Sequence, residues 1–343
     1  MIAWITTWNI KCGIATYSKH LSKFFGDVVV LAQENEGDVG NAVPCWKRDS
    51  SSFEDLISQI VARKIKTVVI QHQPGLFRFK YLNSLLLKLD TLEIKVYITL
   101  HNTKDRSIIF PSKRIEKAIE GLKTCSAILV HTNADVANLS ELGIQNNVVM
   151  IPHGIYPPPS SDAETIEMDG RTIGTFGFLL PHKGQLELIE AFSKLDNWDS
   201  LLMLCSTREG TGNTLTKANS LITKLGLNDR VKLVTEFLDD DVAISSLSKC
   251  ELLAFPYQNT NESASGAVRM GVASGSAITV TPIPIFDDVK GAIRMTGCSV
   301  DHIASSIASL TEDQIIKSEE NIKSLRDSQQ WDIVAKQIQE LMR

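Results

Sequence analysis

Short β-branched runs alternate with amphipathic stretches along nearly the whole chain. That rhythm predicts βα units that build parallel sheets. In the first half the predicted strands are Ile2–Thr6, Asp27–Leu31, Thr67–Gln71, Lys95–Thr99, Ala127–His131 and Val148–Ile151. Between them Ile14–Phe25, Phe53–Arg63, Lys80–Leu89, Ser112–Leu122 and Ala134–Leu142 read as helices. Their apolar residues recur every three or four positions, so each can cover one face of a sheet.

The run from Tyr156 to Asp162 breaks the rhythm with three consecutive prolines, Pro157, Pro158 and Pro159, which lack backbone donors and favour an extended chain. It is the best linker in the sequence. After it, strands are expected at Arg171–Phe176, Leu201–Cys205, Arg230–Val234, Leu252–Phe255 and Ala277–Val280. Helices are expected at Gln185–Leu195, Thr214–Leu225, Val242–Leu247 and Ala264–Ala273. Trp331–Met342 reads as a last amphipathic helix that must dock on something. The expected division is 1–158, 165–326 and a C-terminal helix within 327–343. The fold class is α/β, with two doubly wound domains facing across a cleft.

Length and composition narrow the class. The 343 residues suit two domains, and 43% hydrophobic with 22% charged residues is ordinary globular usage. A net charge of −5 argues against nucleic acid as the main partner. No apolar run approaches the roughly 18 residues of a membrane span, and no basic leader precedes the first strand. A cytoplasmic protein is therefore expected. The six cysteines lie far apart without zinc-like spacing and read as free thiols of a reducing compartment.

Candidate chemistry gathers where predicted strands end, because doubly wound sheets bind ligands outside the carboxyl ends of their strands. Gly13 follows the first strand and precedes a helix, a turn that suits a phosphate or equally a plain tight turn. His101-Asn102 and His72 follow two further strands; the histidines can exchange protons near neutral pH, or serve only as hydrogen-bonded structural groups, the alternative that weighs more for His72. In the second half Lys183 stands at a helix start, where the dipole disfavours a cation unless an anion joins it; a diphosphate clamp meets this condition, and a solvated surface lysine is the alternative. The densest group is Glu262-Ser263-Ala264-Ser265-Gly266-Ala267-Val268-Arg269. Glu262 can accept sugar hydroxyls, the small residues leave backbone amides accessible, and Ser263 or Ser265 can cap the next helix. The acidic run Asp239-Asp240-Asp241 is explained as a helix N-terminus, Asp287-Asp288 as a polar loop, and no metal site is assigned.

Taken together, these residues resemble family four of the glycosyltransferases, retaining enzymes of GT-B architecture. The resemblance rests on Cys12-Gly13, Thr99-Leu100-His101-Asn102, Val149 through Gly154, Gly177 through Gly184, Glu262 through Gly275 and the tail from Trp331. It spans nearly the whole chain. It implies two Rossmann-like domains, an acceptor on the N-terminal one, a nucleotide-sugar donor held mainly by the C-terminal one, and a final helix that returns to the first. By motif position Gly13 would approach the donor diphosphate, His101 would contact the donor sugar and Lys183 would neutralise the leaving phosphates. Glu262 would hydrogen-bond the sugar, with Ser263, Ala264, Ser265 and Gly266 lining its pocket. His72 and Asn102 would lie on the acceptor side.

Two positions depart from the family pattern. Met270 stands where a second glutamate usually binds the nucleotide ribose, and Phe178 stands where an arginine usually meets the diphosphate. Arg269 and Arg208 are the candidates to compensate. The expected activity is retaining transfer from a nucleotide sugar to a hydroxyl acceptor, a glycan or lipid-linked saccharide of cell-surface synthesis, with no cofactor required. Arg78, Lys80, Lys104 and Arg106 read first as solvated surface and second as peripheral contacts to anionic lipid at the inner face of the membrane. The alternatives are a non-catalytic partner that binds nucleotide sugar or glycan, and an epimerase or phosphorylase on the same plan.

Overall fold

The computed structural model describes residues 1–10, 12–34, 42–104, 111–207, 211–260 and 264–343. They form two units. The first comprises Met1–Gly154, Ala264 and Trp331–Arg343, and the second Ile155–Thr260 and Ser265–Gln330.

In the first unit the chain runs β1 (Ile2–Thr6), α1 (Gly13–Ser22), β2 (Val28–Gln33), β3 (Val43–Trp46), α2 (Glu54–Ala62), β4 (Thr67–His72), α3 (Phe79–Thr91), β5 (Lys95–Leu100), α4 (Ile119–Thr124), β6 (Ala127–Val130), α5 (Asn133–Glu141) and β7 (Val148–Met150). The second unit continues with β8 (Thr172–Phe178), α6 (Gln185–Phe192), β9 (Ser200–Ser206), α7 (Gly212–Lys224), β10 (Val231–Val234), α8 (Asp240–Leu247), β11 (Leu252–Phe255), α9 (Gly266–Ser274), β12 (Ala277–Val280), β13 (Ile293–Arg294), α10 (Val300–Ala308) and α11 (Glu312–Ser328). The last helix, α12 (Trp331–Leu341), belongs to the first unit.

Each unit is built on one parallel sheet. The strand orders are β3-β2-β1-β4-β5-β6-β7 and β10-β9-β8-β11-β12-β13. Both sheets reverse their winding once, between β1 and β4 and between β8 and β11, the doubly wound arrangement. Helices cover both faces, so the central strands are apolar on both sides. In β4, Val68 and Ile70 enter one core while Val69 enters the other. In β11, Leu252 and Ala254 are separated in the same way from Leu253 and Phe255.

On one face of the first sheet, α1 and α12 bury Tyr17, Leu21, Trp331, Val334, Ala335 and Ile338 against Trp4, Val69, Tyr97 and Leu129. Tyr97 donates its hydroxyl to Leu341 O (3.2 Å), and Gln339 donates to Phe24 O (2.7 Å), fixing the last turn of α12. Trp331 lies so close to Gly154 that a Cβ there would sit 2.2 Å from the indole.

Several elements differ from the sequence reading. Val43–Trp46 is a strand although it contains Pro44, which an edge position tolerates because one side needs no ladder bond. Ser112–Leu122 does not form one helix. Ile115, Ala118 and Leu122 are buried as the spacing required, but Arg114 takes an extended conformation and splits the run into short 3-10 turns before α4. The long helix α11 escapes the sequence pattern because it is polar except for Ile315, Ile316, Ile322 and Leu325, and Ile316 is exposed. Ile155 and Tyr156 bury in the second unit's core, so the chain enters that unit before the prolines rather than after them. No helix among the described residues is long and apolar enough to cross a membrane.

Candidate active site

The carboxyl ends of β4, β5, β6 and β7 bring histidines together in the first unit. Tyr17, on α1, is the hub. Its ring is edge-on to His101 (4.9 Å), His153 (5.1 Å) and Trp331 (4.9 Å), and tilted against His131 (5.6 Å). His131 in turn lies 5.6 Å from His101 and 5.3 Å from His153.

His101 is half-buried, and its Nε2 donates to Gln71 Oε1 (2.9 Å), which leaves Nδ1 as the acceptor. Burial, with the neighbouring His131 and His72, holds its pKa well below the usual imidazole value. His101 is therefore neutral at pH 7 and presents a hydrogen-bonding ring rather than a cation. Burial likewise pushes the Tyr17 hydroxyl far above its ordinary pKa, so the hub is neutral too.

Behind His101 the loop after β5 is tied down. Asn102 Oδ1 accepts from Lys104 N (2.7 Å), and Thr103 donates to Asp135 (2.5 Å), which also accepts from Thr132 (2.5 Å). Asn102 itself stays half-exposed.

His72 requires a correction. It is 0% exposed, its Nε2 donates to Phe77 O (2.9 Å), and its ring packs against Phe79. Burial lowers its pKa to about 4. A neutral ring enclosed this way is a structural group of the first unit and presents no surface to an acceptor.

In the second unit the loops after β8 and β11 meet at the switch point. Lys183 ends a 3-10 turn, Pro181–Lys183, immediately before α6. Although charged, it is only 7% exposed, and its Nζ lies 4.0 Å from the centroid of the Tyr257 ring. Gly184 makes the turn possible: its φ is +71°, and a Cβ would lie 1.9 Å from Pro256 O. Gln258 N donates to His182 O (2.8 Å), stitching the two loops together.

Ser265 caps α9, accepting from Val268 N (3.3 Å), and its Oγ is 2.8 Å from the Tyr257 hydroxyl. Ala264 is half-buried beside it. Gly266 and Gly13, which open α9 and α1, meet no atom within 4 Å of an added Cβ. Among the described residues, nothing in the packing demands glycine at either.

Arg269 and Met270 also need correction as donor contacts. Arg269 is 0% exposed and its guanidinium pairs with Asp288, while Met270 is 3% exposed in the core under α9. Position on α9 turns both side chains inward. Phe178 packs against Phe237, ring centroids 6.1 Å apart, and Phe237 is 42% exposed. Glu262, Ser263, Arg208 and Arg106 lie outside the described residues. Arg78 is ion-paired with Asp49. Asp239 stands at the N-terminus of α8, with Asp240 and Asp241 in its first turn, and among the described residues no group of three or more His, Cys, Asp or Glu is placed to hold a metal ion.

By sequence, no protein-family model and no curated protein matches the chain. Solved structures do match. HepE of Anabaena, in complex with UDP, superposes with a TM-score of 0.76 at 15% identity over 99% of both chains. Sucrose-phosphate synthase of Thermosynechococcus elongatus gives 0.74 at 14%, over 100% of this chain and 98% of that one. The UDP-forming α,α-trehalose-phosphate synthase of Burkholderia xenovorans, in complex with glucose-6-phosphate, gives 0.75 at 8% over 100% of both. The fold is GT-B. In GT-B terms the two parallel sheets are its two Rossmann-like domains.

Sequence reasoning had not singled out Tyr17, His131, His153 or Tyr257 as site residues. His131 carried the same signal as His101, a histidine at the end of a predicted strand. Tyr17 and Tyr257 carried none, since an aromatic on a helix face or after a strand reads as core.

Proposed function

We propose that this chain is a retaining glycosyltransferase that moves a sugar from a nucleoside-diphosphate sugar to a hydroxyl acceptor. The observation that carries the reading is Lys183, a nearly buried cation held at the switch point of the second sheet beside the start of α6. A cation held beside the start of α6 suits a diphosphate, whose negative charge it would balance. The fold is also that of structures that hold UDP or UDP-glucose.

In this reading the second unit binds the donor. Lys183 and the amides that open α9 stabilise negative charge as it grows on the departing phosphate, preorganised electrostatics of the kind that usually dominates catalysis. Glu262 accepts hydrogen bonds from the sugar hydroxyls. No described atom lies within 4 Å of a Cβ added at Gly13 or Gly266, which would let a ligand approach the backbone. In the first unit, neutral His101 exchanges hydrogen bonds with hydroxyls. The acceptor oxygen attacks the anomeric carbon on the face the nucleoside diphosphate leaves, and the acceptor proton passes to that phosphate.

The test is direct. The protein is incubated with UDP-, GDP-, ADP- and TDP-glucose, with glucose 6-phosphate or a lipid-linked saccharide as acceptor. Release of nucleoside diphosphate is followed, and the new linkage is read by NMR. Acceptor-dependent release with an unchanged anomeric configuration is expected. Failure of every donor to bind or turn over overturns the reading, and inversion overturns its stereochemistry.

A second reading, a non-catalytic binder of nucleotide sugar or glycan, draws on Met270, a buried apolar side chain where the family resemblance implies a ribose-binding glutamate. Binding with neither transfer nor donor hydrolysis would assign the chain to it.

A further inference from the structure

We propose that Tyr257 is the positioning residue for Lys183, and that it ties the lysine and the N-terminus of α9 into one diphosphate-binding unit. This rests on the reading of Lys183 as the donor's phosphate contact.

A lysine on its four-carbon stem has too many rotamers to serve as a fixed charge unless something holds its head. Here the face of a tyrosine does so. Lys183 Nζ stands 4.0 Å from the centroid of Tyr257, where the ring's negative face attracts a cation. The ring itself cannot drift. Tyr257 is 1% exposed and packs against Phe286 (4.9 Å between centroids) and Phe255 (6.4 Å). Its carbonyl accepts from Thr281 Oγ1 (2.7 Å), and the next residue's amide donates to His182 O (2.8 Å), in the lysine's own turn.

The hydroxyl makes the second connection. It lies 2.8 Å from Ser265 Oγ, the same atom that accepts from Val268 N to cap α9. One tyrosine thus fixes a point charge with its face and a helix N-terminus with its edge. A diphosphate needs both, a cation for one phosphate and backbone amides for the other.

The experiment measures binding of UDP, GDP, ADP and TDP, each against its nucleoside, by calorimetry. Wild type is compared with Lys183→Ala, Tyr257→Met, Tyr257→Phe and the ring-fluorinated counterpart of that phenylalanine. Fluorination keeps the ring's shape and removes the electron density of its face, so a purely structural role would not register it. Lys183→Ala should lower the preference for diphosphate over nucleoside at least tenfold. Tyr257→Phe removes only the link to Ser265 and should lower the preference about threefold, the fluorinated ring and Tyr257→Met should lower it at least tenfold with nucleoside binding unchanged, and an unchanged preference in Tyr257→Phe overturns the link to α9. If Lys183→Ala loses the preference while the fluorinated ring keeps it, the positioning role is overturned. If Lys183→Ala keeps it, or no diphosphate binds, the donor reading itself falls.

Discussion

Gln71 and His101, thirty residues apart in the chain, are joined at the ends of adjacent strands by a 2.9 Å hydrogen bond from imidazole Nε2 to the amide oxygen. Gln71 is wholly buried and cannot swing away. The pair sets which His101 nitrogen carries the proton. Removing the amide in Gln71→Leu releases that tautomer at the cost of about one net hydrogen bond, or roughly tenfold in turnover. Gln71→Glu should instead favour the imidazolium and raise the His101 pKa. The acid limb of the pH–rate profile should then move to higher pH, and an unmoved limb would remove His101 from the reaction.

Lys183→Ala should lower turnover by about 10²–10³ if the lysine acts as other preorganised charge donors do. The comparison is single-turnover transfer at saturating donor, so that weakened binding does not disguise the effect. Wild-type turnover would end the assignment.

The glycines divide into two kinds. Gly184→Ala puts a Cβ 1.9 Å from Pro256 O at a positive φ, and should destabilise the second unit by roughly 2–4 kcal/mol. Gly13→Ala meets nothing within 4 Å and sits in the first turn of α1, so melting should not fall. Its donor affinity should fall nonetheless, because the methyl occupies space next to the helix N-terminus. Unchanged donor affinity in Gly13→Ala would move the phosphates elsewhere.

His72 gives the first unit a pH dependence. Its folded pKa, about 4, lies below the unfolded value of about 6.5, so the unfolded chain takes up a proton first as pH falls. Stability from this group is complete above pH 6.5, declines between about 6.5 and 4, and amounts to about 3 kcal/mol at most. Hydrogen exchange in β4 and α3 at pH 7.5 and pH 5 should show the loss in wild type and less of it in His72→Gln.

The thiols should separate by burial. Cys45, Cys125, Cys205 and Cys250 are buried, and burial pushes their pKa values up to about 12. Cys12 and Cys298 are half-buried. Alkylation of the native protein at pH 8, read by mass spectrometry, should mark Cys12 and Cys298 and leave the other four until unfolding. Early labelling of Cys205 would contradict its place in the second core.

Much of this was legible in the order of residues. Alternating β-branched runs and three-to-four spacings reveal parallel sheets because side-chain periodicity is a local property of strand and helix. The ends of those strands then locate His101 and Lys183. Polarity hid α11, a broken apolar run disguised the 3-10 turns near Arg114, and Pro44 concealed an edge strand. Tertiary structure alone decided which way side chains on a recognised element point. Arg269 and Met270 turn into the core, and His72 is enclosed by Phe77 and Phe79. It also decided the contacts between residues far apart in sequence: Tyr17 with three histidines and Trp331, Gln71 with His101, and Tyr257 with Lys183 and Ser265. A spacing rule fixes neighbours within one turn or one strand, whereas these meetings depend on strand order and on how the loops at the sheet's edge close.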